Sequence, residues 1–356
     1  MLEGLVIQSH KGPYAVAFNR DVLEDCKQLL DGQAHCIVDS NIKRLYGDRL
    51  GAVCEHPNTI FVDATEEAKS IDRIIPVIQR LVDDGVRRDH VLVAIGGGVI
   101  QDITCFIAST LLRGVPWRFV PTTLLAQADS CIGSKSSINL GTVKNILGTF
   151  NPPREIIVCT AFLDTLDQRD MRSGFRELLK VHAIEGRQSF DRLAADYDKL
   201  LDDRALLLHY VRNALVIKQR FIERDEFDQN VRNIFNYGHS FGHAIESATA
   251  FGVPHGVAVS MGMAMANHIA SLRGLLPEGH RERMEPALRK NNAAYRDINI
   301  ETDALVGALT KDKKNTARKL VLIFPVGTEA DVQRTEVPLD NDFIQQCSIA
   351  LQDLRK

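Results

Sequence analysis

The sequence predicts an α/β domain followed by a mainly α-helical domain. Between residue 34 and about residue 121, strand-like and helix-like stretches alternate, the pattern of a parallel sheet with helices on both faces. From about residue 170 to about residue 310, the chain reads as helix after helix. The expected domains are therefore 1–170 and 171–356.

Residues 4–18 alternate in polarity and break at Lys11-Gly12-Pro13, as a turned strand pair does. Ala34–Asp39 is a strand followed by a short helix from Asn41. Thr59–Val62 is a strand, and the helix after it, from about Ser70 to Gly85, sets Ile71, Ile74, Ile75, Ile78 and Leu81 on one face. His90–Ile95 runs as a strand into Gly96-Gly97-Gly98, then a helix over Val99–Leu112, and Trp117–Val120 is a strand ending at Pro121. The spacing next predicts helices over 168–186, 189–200, 204–224, 238–251, 256–273 and 278–290. Strands at Lys319–Phe324 and Asp331–Val337 and a last helix from near Asp340 complete the reading. No internal repeat and no low-complexity linker interrupts it.

With 356 residues the chain has room for two domains and a large core. A composition 45% hydrophobic and 25% charged is that of an ordinary globular protein. The net charge of -3 argues against a general nucleic-acid or membrane surface. No apolar run approaches the ~20 residues that span a bilayer. The N-terminal stretch has no basic region leading into an apolar one, so no secretory signal is expected there. The seven cysteines are scattered and never spaced as CxxC, which fits reduced thiols and a cytoplasmic location.

Several stretches carry chemistry. The triple glycine lies between a strand and a helix, where the backbone can approach a ligand closely and free N–H groups suit a pyrophosphate; a tight turn that binds nothing is the alternative. Asp102 sits on the first turn of that helix, where it also stabilises the dipole. Asp63-Ala-Thr-Glu66-Glu-Ala-Lys69 follows a strand, where polar side chains can reach a ribose or phosphate. The segment Pro121–Asn145 is rich in small and polar residues, and its Lys135 and Lys144 call for an anionic partner such as a phosphorylated ligand or Asp129. Glu177 and Lys180 lie three apart on a helix, as a surface ion pair or as part of a site. His239 and His243 share a helical face, and a Gly252-Val-Pro254 break can return His255 to it. Three converging imidazoles, with Glu177 as a carboxylate partner, make metal-ligand geometry.

Together the motifs GGGVIQD, PTTLLAQADSCIGSK with its downstream VKN, FRELLK, and NYGHSFGHAIE followed by PHG resemble 3-dehydroquinate synthase and the wider sugar phosphate cyclase family. The likeness spans about residues 34–325, in the family's order and spacing. It implies the dehydroquinate synthase-like fold: an NAD-binding α/β domain, a helical metal domain, and an active site between them. The implied NAD contacts are Asp39, Asn41, Glu66, Lys69, Gly97, Gly98, Val99, Asp102, Thr122, Thr123, Phe162 and Thr165, joined by Asp129, Lys135, Lys144 and Asn145 where cofactor and substrate meet. The implied ligands of Zn2+ (or Co2+) are Glu177, His239 and His255, which moves His243 to the substrate side. Asp129, Lys135, Lys144, Asn145, Lys180, Lys218, Arg232 and Asn236 match the substrate pocket, with one of Lys313 and Lys314, of which Lys314 is preferred. Arg113 matches an arginine that binds phosphate in the partner subunit's site, so a homodimer is implied.

The implied reaction converts 3-deoxy-D-arabino-heptulosonate 7-phosphate into 3-dehydroquinate and phosphate. It proceeds through transient oxidation by NAD, phosphate elimination, re-reduction and an intramolecular aldol. The chain departs from the family pattern at Gln101, Ser134, Gly141-Thr-Val-Lys144, Arg176 and Tyr237. These departures keep open an amino-dehydroquinate, 2-epi-5-epi-valiolone or 2-deoxy-scyllo-inosose synthase activity. A metal-dependent alcohol dehydrogenase is a further alternative, because that family shares the two-domain plan.

Overall fold

The computed structural model describes residues 3–18, 21–141, 143–250, 252–295, 297–311 and 319–355. The chain divides into two compact units. One comprises Met1–Met171 with Lys218–Phe227, the other Arg172–Ile217 with Asp228–Lys356.

The first unit is built on a seven-stranded sheet. Its strands are β1 (Leu5–Ile7), β2 (Tyr14–Phe18), β3 (Ala34–Asp39), β4 (Thr59–Val62), β5 (Val91–Gly96), β6 (Trp117–Pro121) and, after the hairpin β7 (Lys135–Leu140) and β8 (Val143–Phe150), β9 (Glu155–Val158). The sheet order is β1-β2-β9-β6-β5-β3-β4. Only β1 and β2 pair antiparallel; β2, β9, β6, β5, β3 and β4 run parallel. Every residue of β5 is buried, as a central strand covered on both faces must be. Helices α1 (Ser40–Tyr46), α2 (Gly51–Cys54), α3 (Ile71–Asp83) and α4 (Gly98–Thr110) supply the crossovers.

One expectation needs correction here. In α3, Ile74 and Leu81 are buried, but Ile75 is 54% exposed. One residue after Ile74 it has turned about 100° away from the core face. The segment after Pro121, to which the sequence assigns no elements, is ordered in two parts. Residues 126–130 form a π-turn, and Lys135–Phe150 form the β7–β8 hairpin. The hairpin is bound partly by polar side chains, with Ser136 and Thr149 hydroxyls 2.6 Å apart.

The second unit is mainly helical: α5 (Gln168–Glu185), α6 (Arg187–Asp196), α7 (Arg204–Ile222), α8 (His239–Ala248), α9 (His255–Leu272), α10 (His280–Asn292), α11 (Thr302–Thr310) and α12 (Asn341–Leu354), with the hairpin β10 (Lys319–Val326) and β11 (Asp331–Pro338). The first residues of α5 and the last turn of α7 count with the first unit. Helix α9 is buried along nearly its whole length. It crosses α8 at a glycine contact: a Cβ on Gly262 would lie 2.1 Å from Gly238 O, and one on Gly242 would lie 2.8 Å from Val259 Cα. No helix among the described residues is long and apolar enough to cross a membrane.

Tyr237, fully buried, donates its hydroxyl to Asn267 Oδ1. An aliphatic side chain there would orphan Asn267, so the two polar residues belong together. His182 on α5 is 2% exposed, with Nδ1 2.7 Å from Ser189 Oγ. Burial lowers its pKa from 6.5 to about 4. The unfolded chain therefore binds the extra proton first as pH falls. The stability that neutral His182 contributes is intact above pH 6.5 and is lost as pH drops toward 4, on the order of 3 kcal/mol in all. Thermal melts across that window should show a falling midpoint, with a shallower fall in His182→Gln. An equal slope in the variant would assign the acid sensitivity elsewhere.

Candidate active site

In the first unit, β3, β5 and β6 end side by side at their carboxyl ends, where open α/β sheets bind ligands. A cavity of about 660 Å3 lies there. It is lined by Asp39 and Asn41 after β3, Gly97, Gly98 and Val99 after β5, Thr122 and Thr123 after β6, and Phe162 and Thr165. Asp39 caps α1, its Oδ1 accepting from the Asn41 amide at 2.8 Å. Burial raises its carboxyl pKa against the pull of that amide. A Cβ on Gly97 would meet Thr123 Cγ2 at 3.0 Å, whereas Gly98 faces open space. The missing side chains leave the first turn of α4 bare, with its unpaired N–H groups available to an anion. The Tyr46 hydroxyl bonds the Phe162 carbonyl at 3.1 Å and Thr165 Oγ1 at 2.9 Å, which fixes the far wall.

A polar network ties Lys69 to α4 and to the β7–β8 hairpin. Lys69, 7% exposed, donates to Asp102 Oδ2 at 3.1 Å and to Asn145 Oδ1 at 2.8 Å, with Glu66 Oε1 at 3.6 Å. Burial raises the Asp102 carboxyl pKa, and Lys69 and the Ser137 amide oppose that shift. Asn139, missed in the sequence as a site residue, ties the parts together. Its Nδ2 donates to Glu66 Oε1 at 2.9 Å, and its Oδ1 accepts from the Asn145 amide at 2.8 Å. That bond supports Asn145 at φ 53°, a left-handed conformation asparagine tolerates. Lys144 and Asn145 are exposed on β8, and Lys135 is exposed on β7.

Asp129 and Lys218 also meet in this unit. Lys218 Nζ is 2.9 Å from Asp129 Oδ1 and also donates to the Asp129 carbonyl. The π-turn bearing Asp129 is held from outside by Gln101. Gln101 Nε2 donates to Ser130 O at 2.6 Å, and Ser130 Oγ donates to Gln101 Oε1 at 2.8 Å. Ser134 takes a left-handed φ of 64° and donates to Glu226. Arg113 is exposed and follows Leu112 in two successive left-handed residues.

In the second unit the three imidazoles converge. Ring centroids are 5.7 Å apart for His239–His243, 5.7 Å for His239–His255 and 5.5 Å for His243–His255. His239 Nδ1 faces the Tyr237 carbonyl at 3.4 Å, and His255 Nδ1 faces Glu246 Oε2 at 3.1 Å. An Nδ1–H committed to an oxygen leaves Nε2 as a lone-pair donor, the usual dress of a metal-binding histidine. Burial, then Lys180 and the neighbouring rings and Arg176, hold His239 neutral by lowering its pKa well below the ordinary value. Among the described residues, donor atoms of His243, Glu246 and His255 lie within 4.8 Å of one another. Glu246 went unnoticed in the sequence; its position one turn after His243 was the available signal.

Glu177 does not join that group of donor atoms. Its carboxylate is held by two cations: Arg176 bonds Oε1, and Lys180 Nζ lies 2.5 Å from Oε2. Lys180 also lies over the Phe235 ring, 5.9 Å from its centroid. Phe235 belongs to the short helix Val231–Asn236, which carries buried Arg232 and half-buried Asn236. Lys313 and Lys314 lie outside the described residues.

The 3-dehydroquinate synthase N-terminal profile matches residues 59–173, and the C-terminal profile of the same family matches residues 174–315. The chain belongs to the 3-dehydroquinate synthase family. The 3-dehydroquinate synthase of a Thermoanaerobacter species is 32% identical over 307 residues, 85% of this chain and 86% of its own. That of Sulfolobus acidocaldarius is 37% identical over 291 residues, 79% of this chain and 82% of its own. Among solved structures, 2-epi-5-epi-valiolone synthase from Streptomyces hygroscopicus, with NAD+ and Zn2+ bound, superposes with a TM-score of 0.81 at 27% identity, covering 99% of both chains. As a member of the family, the chain is a sugar phosphate cyclase with the dehydroquinate synthase-like fold.

Lys69→Met should destabilise the chain by about 2–3 kcal/mol, less than for a wholly buried pair because Asp102 keeps some solvent. Adding Asp102→Asn should recover part of that loss. Urea midpoints of the single and double variants measure both effects, and a double variant no better than Lys69→Met would mean the pair is not coupled.

Proposed function

We infer that the chain is a 3-dehydroquinate synthase-type cyclase. It converts 3-deoxy-D-arabino-heptulosonate 7-phosphate into 3-dehydroquinate and phosphate, as a carbon–oxygen lyase dependent on NAD and a divalent metal. The observation that carries this reading is four basic side chains held at 5% exposure or less: Arg176, Lys180, Lys218 and Arg232. Arg176 and Lys180 are paired with Glu177, and Lys218 with Asp129; this concentration of buried positive charge favours a substrate bearing both a carboxylate and a phosphate over a simple alcohol, as an alcohol dehydrogenase would take.

The residues fit both helpers. The cavity at the strand ends offers glycine backbone and a helix N-terminus to a pyrophosphate, with Asp39 and Asn41 at its edge. Two imidazoles with Nδ1 committed suit zinc or cobalt; His239 and His255, with Glu177 as the carboxylate, would hold it. When bound, NAD supplies a reversible hydride acceptor and the metal supplies Lewis acidity. The chain's own groups orient and neutralise. Lys218 and Arg232 hold the substrate carboxylate. Lys135 and Lys144 hold its phosphate, joined by Arg113 reaching the partner subunit's site in a homodimer. His243 and Asn236 bond the reacting hydroxyls, and Lys180 stays by the metal carboxylate. Asp129 fixes Lys218 through the 2.9 Å ion pair.

The departures at Gln101, Ser134, Arg176 and Tyr237 favour, as a second reading, a cyclase acting on another sugar phosphate. Purified enzyme with NAD and Co2+ should release phosphate from the keto acid phosphate, with no net rise in NADH absorbance. Release from sedoheptulose 7-phosphate or glucose 6-phosphate alone would select the second reading, and steady NADH formation with a simple alcohol would select a dehydrogenase. Glu177→Ala and His255→Ala should each lose both turnover and bound metal by elemental analysis.

A further inference from the structure

Arg176 is the most deeply buried cation described, at 1% exposure. Its Nη2 bonds Glu177 Oε1, while Nε and Nη1 are buried with no hydrogen-bond partner. Leaving two guanidinium donors unmet in a dry site is costly. Lys180 takes the other oxygen of the same carboxylate at 2.5 Å. Arg176, Lys180 and Glu177 therefore sum to one net positive charge. A second cation entering beside these groups meets like charge, and Arg176 holds Oε1 of the carboxylate that a metal would draw on.

We propose that Arg176 couples metal binding to anion binding: it competes with the divalent metal for Glu177 until an oxyanion of the substrate takes its two free donors. This rests on the reading of Glu177 as a metal ligand. The ligand is an oxyanion, whether a carboxylate or a phosphoryl group. Once the guanidinium is paired with it, Glu177 is released to the metal, so each ligand raises the affinity for the other by the same factor. Arg176 then contributes to specificity, because an uncharged polyol cannot release the carboxylate.

The test measures Co2+ affinity of the full chain by competition with a chromophoric chelator, at fixed ionic strength in chloride. Wild type, Arg176→Met and Arg176→Lys are compared, alone and with sulfate or pyruvate as the oxyanion. Arg176→Met is expected to bind Co2+ at least about tenfold more tightly than wild type without added anion. In wild type, sulfate should tighten Co2+ binding severalfold if a phosphoryl group is the natural partner, and pyruvate if a carboxylate is. Neither should act on Arg176→Met, and Arg176→Lys should fall between. Equal Co2+ affinity in wild type and Arg176→Met, or an anion effect that persists in that variant, overturns the proposal. If Arg176→Met does not fold by circular dichroism, Arg176→Lys decides: affinity and anion response both equal to wild type overturn the proposal, and altered values of both support it. No turnover is measured, so the cyclase reading stands or falls separately on phosphate release.

Discussion

The helical unit depends on one close approach, the crossing of α8 and α9. Gly262 of α9 packs against the backbone of Gly238, and Gly242 of α8 packs against Val259. Gly238 also takes a left-handed φ of 78° at the start of α8. A side chain at any of these positions would push the helices apart. Because α8 starts at His239 and α9 at His255, the same contact sets the distances among the three imidazoles. The convergence of the imidazoles is thus a consequence of backbone packing more than of the histidines themselves.

Charge organises the remainder of that unit. The carboxylate of Glu177 sits between two buried cations, and burial together with those cations keeps His239 neutral. Polar groups there are held in pairs: Tyr237 with Asn267, His255 with Glu246, His239 with a backbone carbonyl. Such pairing fixes ring orientation before any ligand arrives, which is what preorganisation requires of a catalytic site. In the first unit the same economy appears around Lys69, whose partners come from three separate segments.

Much of the fold was legible because its signals are local. The helical periods of 204–224 and 256–273 match α7 and α9 within two residues, and the glycine turn stands where β5 gives way to α4. The β7–β8 hairpin was not legible. Its strands carry Lys135, Ser136, Ser137 and Asn139 where an apolar face would be looked for, and much of its cohesion comes from side-chain hydrogen bonds. For the site, the three histidines could be grouped from spacing and a turn. Glu246, one turn after His243, could have been added to them; Asn139 could not, since it acts through other side chains and leaves no chemical motif. Nor could the tight grip of Arg176 on Glu177, because adjacent residues on a helix point about 100° apart and only a curled side chain joins them.

Gln101 and Ser130 show how such a structure constrains descent. Each satisfies the other through a reciprocal bond, and the π-turn they anchor carries Asp129. Losing either partner strands the buried Gln101 amide or the half-buried Ser130 hydroxyl, so single steps away from the pair pass through a weakened intermediate. The two positions, 29 residues apart in sequence, therefore constrain each other.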